Sequence, residues 1–360
     1  MSVDPLRFIR PDFLDLEAYE PVKPLEVLAA EIGLPVERLV KLDANENLYG
    51  PLPEVRDAVA AADLHIYTDP TQSRLREMIA EYLGVPAEAV VAGAGSDDLI
   101  DIMIRLTSPS AIVNATPTFG MYSFLGKMGG ARIVEVPRTP GPAFEPDIPG
   151  IGRAVRAGAT LVFLASPNNP TGNALSMEQV EALCNMECIV VIDEAYAEFA
   201  GRSAVAQVQQ HPNLVVLRTF SKWAALAGLR VGYAVAAPQL ASHMMAIKQP
   251  YNVSVAADAA ARVALEQRGV LSERVSAIVA ERERLTRDLG QFDWLRPLPS
   301  EANFVLVKVV GRDAKAVVSG LRTKGVLIRY YSRPDLAGYI RISAGRPEDT
   351  DRLLEALRAL

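Results

Sequence analysis

From about residue 75 to residue 250 the chain alternates between two rhythms. Stretches 74–83 and 97–106 carry apolar residues three and four apart, which predicts amphipathic helices. Between and after them come short apolar runs at 89–92, 111–114, 132–136, 160–165, 188–193 and 214–219. Several have almost no polar alternation, as expected of strands covered on both faces. Strands separated by helical crossovers predict an α/β fold with a mainly parallel sheet. After Pro250 the texture changes. A long helical stretch at 256–289 precedes apolar runs at 303–309, 326–330 and 339–342, and a last helix spans 347–360. These predict a smaller α+β domain. The opening 40 residues lack sheet rhythm and are expected to pack against it. The expected division is therefore a large domain at 44–250 and a small one made of 1–43 plus 251–360.

In open parallel sheets ligands bind beyond the carboxyl ends of the strands, so polar residues there are candidates for chemistry. The run 160–165 opens into Ser-Pro-Asn168-Asn169-Pro-Thr-Gly172. Those are turn residues, and two adjacent amides at a buried strand mouth can also hold a ligand oxygen. The run 188–193 closes on Asp193, followed by Glu194, Ala195 and Tyr196. A buried carboxylate is costly without a cationic or hydrogen-bonding partner, and the charged ring nitrogen of a cofactor would be one. The run 214–219 leads through Thr219 and Ser221 to Lys222, with Trp223, Ala224 and Ala225 behind it and Arg230 further on. Enclosed by apolar neighbours, a lysine loses solvation and becomes a usable amine nucleophile. A fourth feature is Gly93-Ala-Gly95-Ser96-Asp97-Asp98, a glycine turn entering a helix, where anions bind readily.

Composition removes several alternatives. The chain has 360 residues, half of them hydrophobic and 22% charged, enough for a core that needs no metal or disulfide staple. Its net charge of -6 offers no basic footprint for nucleic acid. The Arg282-Glu-Arg284 cluster is interleaved with acids and reads as a solvated helix face. No apolar run is long enough for a membrane span. Asp4, Asp12, Asp15 and Glu17 fit neither a signal nor a transit peptide, so a cytoplasmic location is expected. Cys184 and Cys188, with only His65, His211 and His243 elsewhere, make a poor zinc set and read as buried free thiols. The glycine turn fails as a dinucleotide fingerprint because Asp98 stands at its third glycine position, and no P-loop motif occurs.

Together, a nucleophilic lysine, an acid for a ring nitrogen, donors for a ring hydroxyl and a phosphate cradle describe a pyridoxal phosphate site. In these features the chain resembles the fold-type-I pyridoxal phosphate aminotransferases, and within them most closely the histidinol-phosphate aminotransferase family. The motifs follow in order: Asn45-Glu-Asn-Leu-Tyr-Gly50, Gly95-Ser-Asp-Asp98, Pro117-Thr-Phe-Gly-Met-Tyr122, Asn169-Pro-Thr-Gly172, Asp193-Glu-Ala-Tyr196, Thr219-Phe-Ser-Lys222, Leu226-Ala-Gly-Leu-Arg230 and Tyr339-Ile-Arg-Ile342.

The resemblance implies that Lys222 anchors pyridoxal 5'-phosphate covalently and then moves the substrate proton. It implies that Asp193 keeps the ring nitrogen protonated, and that Asn169 and Tyr196 bond the ring hydroxyl. Phe119 takes the place of the ring-stacking aromatic. Gly95, Ser96, Asp97, Thr219, Ser221 and Arg230 form the phosphate cradle. Arg341, Arg329 and Tyr19 take the substrate positions, and Tyr49 reaches the partner's cofactor in a homodimer. The implied reaction exchanges an amino group between L-histidinol phosphate and 2-oxoglutarate. An aromatic amino-acid aminotransferase, a phosphothreonine decarboxylase and a non-catalytic cofactor-binding protein are the alternatives. Leu48 replaces a usual proline, Asp98 a usual glutamate, and Phe119 a frequent tyrosine.

Overall fold

The computed structural model describes residues 3–14 and 23–360, so Tyr19 lies outside the described residues. Strand β1 (Val40–Leu42) belongs to a small sheet. The larger sheet comprises β2 (Val90–Gly93), β3 (Ala111–Asn114), β4 (Arg132–Glu135), β5 (Leu161–Ala165), β6 (Ile189–Asp193), β7 (Leu214–Thr219) and β8 (Gly232–Ala236). Its order is β2-β8-β7-β6-β5-β3-β4. Strand β8 runs antiparallel to both neighbours, while the other pairs are parallel. Every residue of β5, β7 and β8 is buried, because helices cover both faces. On one face the helix Ser96–Thr107 contributes Leu99, Ile100 and Met103 to the core. On the other, Leu75 and Ile79 of the helix Ser73–Leu83 do the same.

Strands β9 (Leu295–Pro297), β10 (Phe304–Val309), β11 (Val326–Tyr330) and β12 (Tyr339–Ser343) complete the small sheet, in the order β1-β11-β12-β10-β9. Strand β1 pairs parallel to β11 and the remaining pairs are antiparallel.

The structure adds to or changes the sequence reading in several places. Sheet structure begins only at the end of the opening segment, with the three residues of β1, too short to show a period. Strand β8 was hidden in the sequence because it follows the Lys222 turn without a helical crossover. The long helical stretch is two helices, Val255–Glu266 and Arg268–Leu289, separated at Gln267. Arg282 is buried and donates to the Ala302 carbonyl at 3.0 Å, so that helix face is not simply solvated. The larger core also continues past Pro250. Ala257, Ala260, Ala261 and Ala264 are buried on Val255–Glu266, which lies against the helix Pro53–Ala60; small side chains permit that close approach.

Tight packing at one glycine joins β8 to the turn after β2. A Cβ on Gly232 would sit 2.7 Å from the Arg218 carbonyl oxygen and 3.1 Å from the Gly95 carbonyl carbon. Both are backbone atoms and cannot swing away. Gly232→Ala is expected to destabilise the protein by about 1–3 kcal/mol, read as a lower urea midpoint.

Candidate active site

Strands β2, β5, β6 and β7 end at one cavity of about 390 Å³, closed from the other side by β11, β12 and the loop between them. Lys222, Asp193, Tyr196, Asn169, Phe119 and Arg341 all line it. Strand alternation explains the selection. Asp193 and Thr219 share one face of the sheet, while Glu194 and Arg218 point to the other and pair there at 3.2 Å.

The lysine sits in a turn held by hydroxyls. Thr219 Oγ1 donates to Ser221 Oγ at 2.9 Å and accepts the Ser221 N–H at 3.1 Å. Trp223 and Ala224 are buried behind it. Lys222 Nζ donates to the Ala44 carbonyl at 3.2 Å, and no ion pair holds it among the described residues. Burial, assisted by the nearby positive charge of Arg341, lowers its amine to about 8, against the opposing pull of Glu46.

Asp193 is buried with two neutral donors. The Tyr122 hydroxyl donates to Oδ2 at 2.7 Å and the Ala195 N–H to Oδ1 at 3.1 Å. Burial raises its carboxyl to about 6 despite those bonds. Tyr196 accepts a hydrogen bond from Asn45 Nδ2 at 3.0 Å, and burial pushes its phenol to about 12.

The glycine turn stands beside the cavity. Gly95 has φ +84°, a left-handed value natural to glycine, and it caps the helix Ser96–Thr107 without a side-chain bond. Ser96, Asp97, Thr219, Ser221 and Arg230 line the same end of the cavity. Arg230 meets Asp97 at 3.2 Å. Asp98 braces the turn, accepting from the Ala94 N–H at 2.8 Å and from Asn252 Nδ2 at 2.7 Å. The opposite wall is cationic. Register sets Arg329 of β11 beside Arg341 of β12. Arg341 donates to Asn169 Oδ1 at 2.6 Å and to the Asp43 carbonyl at 2.5 Å, and its Nε is buried with no hydrogen-bond partner among the described residues.

Residues 37–357 match the family model for aminotransferase class I and II. The chain belongs to the class I and II aminotransferases. It is 49% identical to the histidinol-phosphate aminotransferase of Roseiflexus castenholzii, over 97% of each chain. It is 44% identical to the histidinol-phosphate aminotransferase of Dehalococcoides mccartyi, over 99% of each. The crystal structure of histidinol-phosphate aminotransferase from Sinorhizobium meliloti in complex with pyridoxal-5'-phosphate superposes with a TM-score of 0.88. That pair is 32% identical, over 98% of this chain and 96% of the other.

Within this aminotransferase, three residues singled out from the sequence, Gly95, Tyr49 and Asn168, are not among the described residues lining the cavity, although the neighbours of Gly95, Ser96 and Asp97, are. Tyr49 is half-buried, and burial, assisted by Glu281 and Glu348, raises its phenol above the ordinary value. Of the paired amides only Asn169 faces the cavity. Asn168 is consumed by the turn, accepting from Thr118 Oγ1 at 2.6 Å and donating to the Pro117 carbonyl at 3.0 Å and Thr171 Oγ1 at 2.7 Å. Asn45, Tyr122 and Arg333 join the site without having been assigned to it by sequence. Asn45 and Tyr122 lie inside the family motifs and were legible there. Arg333, bonded to Asp335 through both carboxylate oxygens, carries no signal to tell it from a surface arginine.

Proposed function

We propose that this aminotransferase exchanges an amino group between L-histidinol phosphate and 2-oxoglutarate, with pyridoxal 5'-phosphate as cofactor. The observation that carries the reading is the convergence of Lys222, Asp193 and three arginines, Arg329, Arg333 and Arg341, on one cavity. The names of the similar proteins supply histidinol phosphate, and the family resemblance supplies 2-oxoglutarate. The residues also fit the cofactor. Asp193 is a buried carboxylate with no ion-pair partner among the described residues, which suits a protonated ring nitrogen. A Cβ at Gly95 would lie 2.6 Å from Arg230 Nη2, so the bare glycine leaves the helix N-terminus open to a phosphate.

Pyridoxal phosphate, when bound, supplies the electron sink for chemistry at the substrate Cα. The chain's own residues do the rest. Lys222 holds the cofactor and afterwards, as a free amine, carries the proton to and from the substrate Cα. Asp193 retains the ring proton. Asn169 and Tyr196 bond the ring hydroxyl, and Phe119 stacks on the ring. Backbone groups at Gly95, Ser96 and Asp97, with Thr219, Ser221 and Arg230, bind the phosphate. Arg341 and Arg329 bind the anionic end of either substrate; the bidentate fork of arginine suits a phosphate and a carboxylate alike. The family resemblance assigns Tyr19, outside the described residues, to the substrate. Tyr49 serves the cofactor of a second copy, so the working unit is a homodimer, and its place is the cytoplasm. Among the described residues no helix is long and apolar enough to cross a membrane.

The test is a set of single-turnover mixtures of the cofactor-loaded protein with histidinol phosphate, phenylalanine, aspartate and phosphothreonine. Fastest conversion of the cofactor absorption to its amine form with histidinol phosphate is the expected result. Faster conversion with phenylalanine, or carbon dioxide release from phosphothreonine, would replace the proposed substrate. No conversion with any donor would leave only a cofactor-binding protein.

A further inference from the structure

We propose that Tyr122 is a positioning residue for Asp193, its hydroxyl holding the carboxylate so that the remaining lone pairs accept the N–H of the cofactor ring. This rests on the cofactor reading above and assigns a role to a residue that does not itself meet the substrate.

Tyr122 sits in the helix Met121–Met128 and is fully buried. Its ring lies flat against Phe163, with centroids 5.1 Å apart and planes 6° from parallel. Phe119 meets it edge-on at 5.6 Å. These contacts fix the ring, and so they fix the direction of its hydroxyl. A phenylalanine would pack as well, as Phe163 and Phe119 do. The one thing a tyrosine adds is a donor, and that donor reaches Asp193 Oδ2 at 2.7 Å. Burial and the neighbouring carboxylate keep the hydroxyl protonated, and therefore donating.

A carboxylate offers about four lone-pair sites. Tyr122 and the Ala195 N–H occupy one on each oxygen, so the group is gripped from two elements and cannot rotate freely. Neither donor is charged, so the cationic place stays open. The other ionisable groups around the pair include Asp97, Lys222 and Tyr196, and on the Tyr122 side the buried Arg138. Asp97 disfavours the charged carboxylate and Lys222 favours it, and neither appears among its hydrogen-bond partners.

The experiment compares the parent, Tyr122→Phe and Phe163→Leu as holoenzymes loaded with cofactor labelled at the ring nitrogen. In Tyr122→Phe the nitrogen resonance is expected to move from the protonated toward the neutral position. The cofactor Kd should rise about tenfold, equivalent to about 1.4 kcal/mol, and kcat should fall with little change in KM. Phe163→Leu removes packing without touching the hydroxyl. It should lower Tm yet leave the nitrogen resonance where the parent has it. An unchanged resonance and Kd in Tyr122→Phe would overturn the proposal, as would an equal displacement in Phe163→Leu. A parent with an unprotonated ring nitrogen would instead overturn the role given to Asp193, and this inference with it.

Discussion

Lys222→Ala is expected to lose amino-group transfer by about 10³-fold or more, toward the upper end of what a positioned general base supplies. The loss is large because one side chain serves two purposes, cofactor anchor and proton carrier, and alanine serves neither. Turnover at the parental rate would refute the assignment. Protonation of the same amine sets a second expectation. Its value of about 8, against an ordinary 10.5, means that the folded protein gives up this proton before the unfolded chain does. Cofactor uptake needs the neutral amine, so its rate should rise with pH and level off above about 8, without continuing to climb toward 10.5. Between those two values the unfolded chain binds more protons, and this group's contribution makes stability rise with pH. Stopped-flow absorbance after mixing cofactor with the cofactor-free protein, from pH 6 to pH 10, measures the first of these (pH range set by the values of about 8 and 10.5).

Asp193→Asn should cost about 10²–10³-fold in kcat, comparable to deleting one preorganised electrostatic contact in other active sites. The amide is the same size but cannot be an anion, so it cannot hold a proton on the ring nitrogen. Stability should move the other way. The folded carboxyl titrates near 6 against an ordinary 3.8, so the folded protein binds more protons in that window and loses stability as pH rises through it. Above 6 the buried charge exerts its full penalty. The cofactor-free Asp193→Asn protein should therefore melt at a higher temperature than the parent at pH 7. That difference should shrink as pH falls from 6 toward 3.8. A variant that both melts lower at pH 7 and turns over normally would contradict the site geometry.

Both residues are legible in the amino-acid sequence because each stands at or just beyond the end of a buried strand. Apolar runs reveal β6 and β7 by their burial, and a single ionisable residue at the end of such a run stands out. The glycine turn at Gly95 is visible for a similar reason, since a left-handed φ favours glycine. What stays hidden has no local signature. Strand β1 is three residues long, and β8 follows the lysine turn directly. Asn168 and Asn169 are adjacent and identical in type, yet the turn consumes one and the cavity receives the other.

By itself, then, the sequence determined the parallel-sheet rhythm, the strand ends that carry chemistry and the family to which they point. Periodic burial and turn geometry are local properties, written within a few residues of where they act. Only the tertiary structure decided which groups meet. Tyr122 and Asp193 are 71 positions apart, Arg341 and Asn169 are 172 apart, and Lys222 reaches the Ala44 carbonyl across 178. Those encounters depend on sheet order, register and the packing of two sheets around one cavity. The protonation states follow from them, because desolvation exists only once the distant parts of the chain have closed over the site.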